Sequence, residues 1–274
     1  MLNDITLGQF FPVNSPVHRL DPRVKILASL AYIIAVFFAN SFAGYIFVAA
    51  FTYAVIIMSK VPLKLYLKGL KPLVFIIVFT SAINLFMTDG RILQIGSVPL
   101  KIGFLKVTAE GLELAVKMAL RLIFLVVGTS VLTFTTSPIV LTDGIESLLS
   151  PFKKIGVPAH ELAMMMSIAI RFIPTLLEET DKIMKAQASR GADFENGSII
   201  KRIKALIPIL VPLFISSFRR ADELALAMEC RCYRGGKGRT RLKTLKIAPI
   251  DYAACAVMLA FVLGICAIAL FVRV

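Results

Sequence analysis

Phe42-Ala43-Gly44-Tyr45-Ile46-Phe47-Val48-Ala49-Ala50-Phe51-Thr52-Tyr53-Ala54-Val55-Ile56-Ile57-Met58 runs without a charge and then meets Lys60, Lys64, Lys68 and Lys71. As a helix at ~1.5 Å per residue the stretch is about 25 Å long, near the ~30 Å of a bilayer's hydrocarbon core. It is apolar on every face, so the medium around it is lipid or protein, not water. Residues 72–88, 122–141 and 252–272 form further charge-free runs. Residues 26–39 are shorter, but Arg19, Arg23 and Lys25 before them and Asn40-Ser41 after them read as two membrane edges. With 58% hydrophobic residues over 274 positions, the chain reads as an all-α integral membrane protein with about five transmembrane helices.

Charge orients the spans. The 31 Lys and Arg outnumber 17 Asp and Glu, and eighteen of the basic residues lie in 142–247 together with eleven of the acidic ones. Basic loops mark the cytoplasmic side. The loop 60–71 is then internal, the uncharged Asn40-Ser41 turn external, and the N-terminus cytoplasmic. Spans run 24–40 outward, 42–59 inward, 70–88 outward, 111–136 inward and 249–272 outward, which leaves the C-terminus external. No cleavable signal peptide is expected, since Asn3 and Asp4 replace a basic region and apolar core. Positive-inside topology accounts for the basic excess, so no nucleic-acid partner is expected.

Three regions follow. Residues 1–141 form a membrane domain of about four spans, with a small external hairpin at 89–108 after the Asp89-Gly90 turn signal. Residues 248–274 are the last span. Between them, 142–247 form a cytoplasmic, interfacial module of one short helix and two long ones. Thr142-Asp143-Gly144-Ile145-Glu146 reads as an N-cap and acidic first turn. The first long helix covers 159–189, with an apolar stripe through Leu162, Met166, Ile173, Leu177 and Met184 and Pro174 inside it. The second covers 199–231, where Pro208 and Pro212, one turn apart, predict a kink. Glu178 and Lys182 are placed for an i, i+4 ion pair. Glu113, Lys117 and Arg121 share one face of the fourth span, and Arg121 is expected to lie near its external end.

Both long helices end in an arginine. Gln187-Ala188-Ser189-Arg190-Gly191 and Met228-Glu229-Cys230-Arg231-Cys232 lie forty-one positions apart, and in the same register Asp181 falls on Asp222 and Gly197 on Gly238. A guanidinium offers a planar fork of donors to carboxylates or carbonyls. Two at two helix ends suit two similar sites on a two-part partner; helix-dipole capping is the simpler use of each.

Catalytic signatures are missing from this sequence. Residues 233–247 are glycine-rich and basic, but Arg231 and Gly238 stand where a phosphate-binding loop needs Gly and Ser or Thr. Cys230 and Cys232 have no second pair, Cys255 and Cys266 sit in an apolar run, and His18 and His160 are isolated, so no metal or cofactor is expected on this chain.

Pro158-Ala159-His160-Glu161-Leu162, Arg171-Phe172-Ile173-Pro174, Ala186-Gln187-Ala188-Ser189-Arg190-Gly191, Arg220-Ala221-Asp222 and Ala227-Met228-Glu229-Cys230-Arg231-Cys232-Tyr233 resemble the transmembrane scaffold (T) component of energy-coupling factor transporters. The resemblance implies that the long helices are coupling helices. It implies that Arg190 and Arg231, with Ser189, Gly191, Cys230 and Cys232 around them, dock two homologous ATP-binding cassette ATPases that carry ATP and magnesium. Arg171, Pro174, Asp181, Pro208, Pro212 and Asp222 would shape the helices, and a membrane-embedded substrate-binding S subunit would ride on them. The family's usual motif is Ala-Arg-Gly, from which Ser189, Cys230 and Cys232 depart. Gly235-Gly236-Lys237-Gly238-Arg239-Thr240 resembles scaffolds shared among vitamin S subunits in a bacterial cytoplasmic membrane. A scaffold dedicated to cobalt or nickel, a stand-alone channel and an intramembrane enzyme are the alternatives.

Overall fold

The computed structural model describes residues 9–88, 94–95, 98–99, 101–102, 105–106, 108–156, 158–192, 199–235 and 245–271. Ten α-helices are described among them: α1 (Pro16–Arg19), α2 (Pro22–Phe38), α3 (Phe42–Ser59), α4 (Leu63–Leu70), α5 (Val74–Met87), α6 (Ala109–Thr135), α7 (Pro138–Leu149), α8 (Ala159–Ser189), α9 (Ile199–Cys230) and α10 (Pro249–Phe271). The hairpin expected at 89–108 lies largely outside the described residues. What is described there is two short antiparallel pairs, Gln94–Ile95 with Val98–Pro99 and Lys101–Ile102 with Leu105–Lys106. The basic connector, through Gly236, Lys237, Gly238, Arg239 and Thr240, and Gly197 also lie outside.

The chain is an all-α integral membrane protein whose described residues divide into two units: those of 9–137 with 245–271, and those of 138–235. In the first unit, α2 packs on α6 and α10, and α3 packs on α6 and α10, so the four helices form a ring. Side chains cap their starts. Asp21 accepts from the Arg23 amide, with Pro22 in the first turn; Ser41 accepts from Ala43 and Thr108 from Gly111. The core of the ring is Tyr32, Val36, Tyr45, Val48, Phe261 and Ile265. Tyr32 and Phe51 both stack on Phe261, with centroids 5.9 and 3.9 Å away, and the Tyr32 hydroxyl meets Thr52 Oγ1 at 2.8 Å. Gly128 makes this possible, because a Cβ there would lie 2.1 Å from the Tyr32 ring.

One end of this unit holds a buried polar knot. Asp251 is 1% exposed; its Oδ1 accepts from the Asp21 amide at 2.8 Å and its Oδ2 from the Ala248 amide at 2.7 Å. Lys25 Nζ, also buried, donates to the carbonyls of His18 at 3.0 Å and Thr135 at 2.9 Å, the latter closing the C-terminus of α6. At the opposite end of α2, Arg121 donates to Asn40 Oδ1 at 3.1 Å and lies over the Phe37 ring. The expected terminal placement of Arg121 is thus met by a specific partner. Glu113 pairs with Lys117 beside it.

Four expectations need correction. Residues 60–71 are not a loop. Leu63, Tyr66, Leu67 and Leu70 share a face, so a helix starts after Pro62 and continues through the 3₁₀ turn Lys71–Leu73 into α5. Five helices are long and apolar enough to cross a membrane; four of them (α3, α4 with α5, α6 and α10) match expected spans, and the fifth is α8, expected at the interface, which qualifies because its N-terminal half is apolar. The short helix begins at Pro138, not near Thr142. Proline's fixed φ suits a first helical position, and Thr142 Oγ1 donates back to the Pro138 carbonyl at 2.9 Å instead of capping. Finally, Glu179 pairs with Arg220 and Asp181 with Lys185 in place of the Glu178–Lys182 pair, because Glu179 faces α9.

Candidate functional site

The second unit is built on α8 and α9, which pack on each other, and α7, which packs on α8. Glu146 of α7 meets His160 Nδ1 of α8 at 3.0 Å. Two contacts fix how the long helices pass. Arg220 Nη2 donates to Glu179 Oε2 at 3.3 Å, and Gln187 Nε2 donates to the Pro208 carbonyl at 3.5 Å. The rising numbers of α8 match falling numbers of α9, so the helices run antiparallel.

The Gln187 contact has a covalent cause. In a helix the Pro208 carbonyl should accept from the amide of residue 212, but Pro212 has no N–H. That carbonyl is orphaned by sequence, and the Gln187 amide from the neighbouring helix serves it. Both prolines lie inside α9, and Pro174 lies inside α8.

The two arginine ends prove to be the same structure. At the end of α8 the Gly191 amide donates to the Ala188 carbonyl at 2.9 Å and the Ala192 amide to Gln187 at 3.0 Å. At the end of α9 the Cys232 amide donates to Glu229 at 2.8 Å and the Tyr233 amide to Met228 at 3.0 Å. Each is a Schellman cap: a residue in the left-handed region follows the cap residue, and crossed bonds close the last carbonyls. The left-handed residues are Gly191 at φ +86° and Cys232 at φ +54°. Arg190 and Arg231 occupy the cap position itself. Ser189 therefore matches Cys230, and Gly191 matches Cys232.

All six motif residues, 189–191 and 230–232, are exposed, as are Arg171, Pro174, Pro208, Pro212 and Asp222, whereas Asp181 is half-buried. The antiparallel passage puts Arg190 beside the Pro208 turn and carries Arg231 away from it. Twenty-three residues of α9 separate Pro208 from Arg231, roughly 35 Å at ~1.5 Å per residue. Two equivalent cations thus stand at opposite ends of one helix pair.

The cysteine in a left-handed position is the point of local strain in this unit. A non-glycine residue there costs ~1–2 kcal/mol, offset by the ~0.4–1 kcal/mol of extra chain entropy that glycine loses on folding. Cys232→Gly is therefore expected to leave stability unchanged or to raise it by up to about 1 kcal/mol. Gly191→Val is expected to lower it by about 1–2 kcal/mol. Thermal unfolding in detergent checks both; a large loss from Cys232→Gly would mean that its thiol holds a contact the backbone does not require.

Sequence reasoning placed both arginines at helix C-termini but missed the Schellman geometry that the two ends share. The signal was present in Gly191, which marks a left-handed position and hence one for Cys232. The Glu179–Arg220 clasp could not be read without the helix crossing. The Pro208 carbonyl could, from the two prolines four apart.

Comparison with known proteins agrees with this architecture. The family described as cobalt transport protein (CbiQ) matches residues 13–242. An energy-coupling factor transporter transmembrane protein of Clostridium kluyveri is 61% identical over 262 residues, covering 94% of this chain and 95% of that protein. The protein of that name from Acidaminococcus fermentans is 61% identical over 95% of both chains, and that from Bacillus subtilis 47% identical over 89% of this chain and 91% of its own length. With membrane helices, a crossed helix pair and a family match over most of its length, the chain belongs to the CbiQ family of transporter membrane proteins.

Proposed function

We propose that the chain is the transmembrane scaffold of an ATP-driven importer of the energy-coupling factor type. The observation that supports this most directly is the pair of matching arginine caps at opposite ends of α8 and α9. Two like cations at opposite ends of one helix pair suit a partner with two like grooves, as two homologous ATPases would offer. Ser189, Gly191, Cys230 and Cys232 surround the arginines at those docking points. The chain itself is a non-catalytic subunit, and ATP and magnesium belong to the ATPases.

In this reading α8 and α9 lie at the cytoplasmic face, the N-terminus is cytoplasmic and the C-terminus external. ATP-driven closure moves the arginine ends, and the clasped helices carry that motion to a membrane-embedded S subunit that holds a vitamin or related micronutrient. The cobalt description of the matching family supports a second reading, a scaffold dedicated to cobalt or nickel.

The test is reconstitution in proteoliposomes. The chain alone is expected to conduct nothing and transport nothing. With two ATPases and an S subunit it is expected to give ATP-dependent uptake, and riboflavin against cobalt ion as the cargo separates the two readings. Ion conductance by the chain alone, without nucleotide, would replace the scaffold with a channel.

A further inference from the structure

The ring of α2, α3, α6 and α10 is not packed along its whole length. At one end α3 and α10 meet closely: a Cβ at Gly264 would lie 3.0 Å from the Phe47 ring, and Phe47 stacks on Phe261 at 5.6 Å. Toward the Lys25 and Asp251 end the ring encloses a cavity of about 310 Å³, lined by residues such as Ala28, Val55, Val131 and Ala254. Met58 of α3 and Val257 of α10 also line it, yet they are 51% and 58% exposed, so the cavity opens sideways between these two helices.

Its polar lining residues offer little to water. Ser29 donates to the Lys25 carbonyl at 2.9 Å, Thr52 to Val48 at 2.7 Å and Thr135 to Val131 at 2.7 Å. Lys25 is engaged by the His18 and Thr135 carbonyls. A buried water needs two to four partners, and an empty space forfeits dispersion contacts on every wall. The volume falls at the low end of the ~300–1,000 Å³ typical of small-molecule sites. The mouth faces hydrocarbon, because α3 and α10 are both membrane-spanning by length and composition.

We infer that this cleft binds one acyl chain of a membrane phospholipid, drawn from the leaflet at the Lys25 end. The occupant follows from the medium: hydrocarbon is what lies outside the mouth and what the lining accepts.

The chain contains no tryptophan, which makes the test direct. Phe51→Trp places one indole at the cavity, and Ile57→Trp, at a position 58% exposed on α3, places one against bulk lipid. Each is reconstituted into vesicles of phosphatidylcholine with brominated acyl chains. Phe51→Trp is expected to be quenched to within about two-fold of Ile57→Trp. Adding Ala254→Phe, which fills the cleft, is expected to relieve the first quenching at least several-fold and leave the second unchanged. Leu132→Trp serves as a second reporter if Phe51→Trp does not fold. An indole quenched by aqueous iodide would mean a hydrated cleft, and one quenched by neither agent a dry void; either result overturns the proposal.

Discussion

Membranes carrying the double variant Arg190→Glu/Arg231→Glu are expected to yield this chain free of ATPases, whereas the wild type is expected to bring both with it. Truncating one partner of a desolvated, hydrogen-bonded charge pair costs ~2–5 kcal/mol, and reversing the charge adds repulsion. At ~1.4 kcal/mol per decade that is a loss of roughly 30- to several-thousand-fold per site. The two caps share no residue and stand far apart, so their effects should add. A single variant is therefore expected to retain one ATPase through the intact cap, and to lose transport. Affinity purification with quantification of the ATPases reads all three cases. Full recovery of ATPases with the double variant would move the docking surface away from the helix ends.

Asp251→Ala is expected to cause a large loss of stability in the membrane unit. Asp251 sits three residues after Ala248 and reaches back to its amide, as the N3 residue of a capping box does. Its other oxygen takes the Asp21 amide, and its charge, with that of Asp21, balances the buried Lys25. Alanine leaves one buried and one half-buried donor unserved at ~1–3 kcal/mol each and removes a counter-charge, so a total near ~3–5 kcal/mol is expected. Asp251→Asn keeps one acceptor and should fall between. Thermal unfolding in detergent measures both. A loss under about 1 kcal/mol from the alanine variant would show that the knot is dispensable.

How much of this was legible in advance depended on the range of the interaction. The α8 limits, 159 and 189, follow from a local apolar stripe and a terminal Arg-Gly, and the structure keeps them. The start of α7 was misplaced because Thr142-Asp143-Gly144 imitates a cap, while Pro138 four residues earlier is the stronger start. Asp251, next to the last apolar run, carries no local signal of its role. Its importance comes from Asp21, 230 positions away, and no local pattern carries that pairing. Among the candidate site residues, the arginines stood out through repetition. Their common cap geometry did not, because Cys232 hides a left-handed turn that glycine would have announced.

Pro212 removes one rung from the ladder of α9, and the carbonyl it leaves bare is held by Gln187, three residues before Arg190. The most pliable turn of one rod is therefore fastened to the tip of the other. Under the proposed function, a push on the α8 tip would enter α9 at the turn that its prolines weaken, and the two tips would work as the ends of a single sprung linkage.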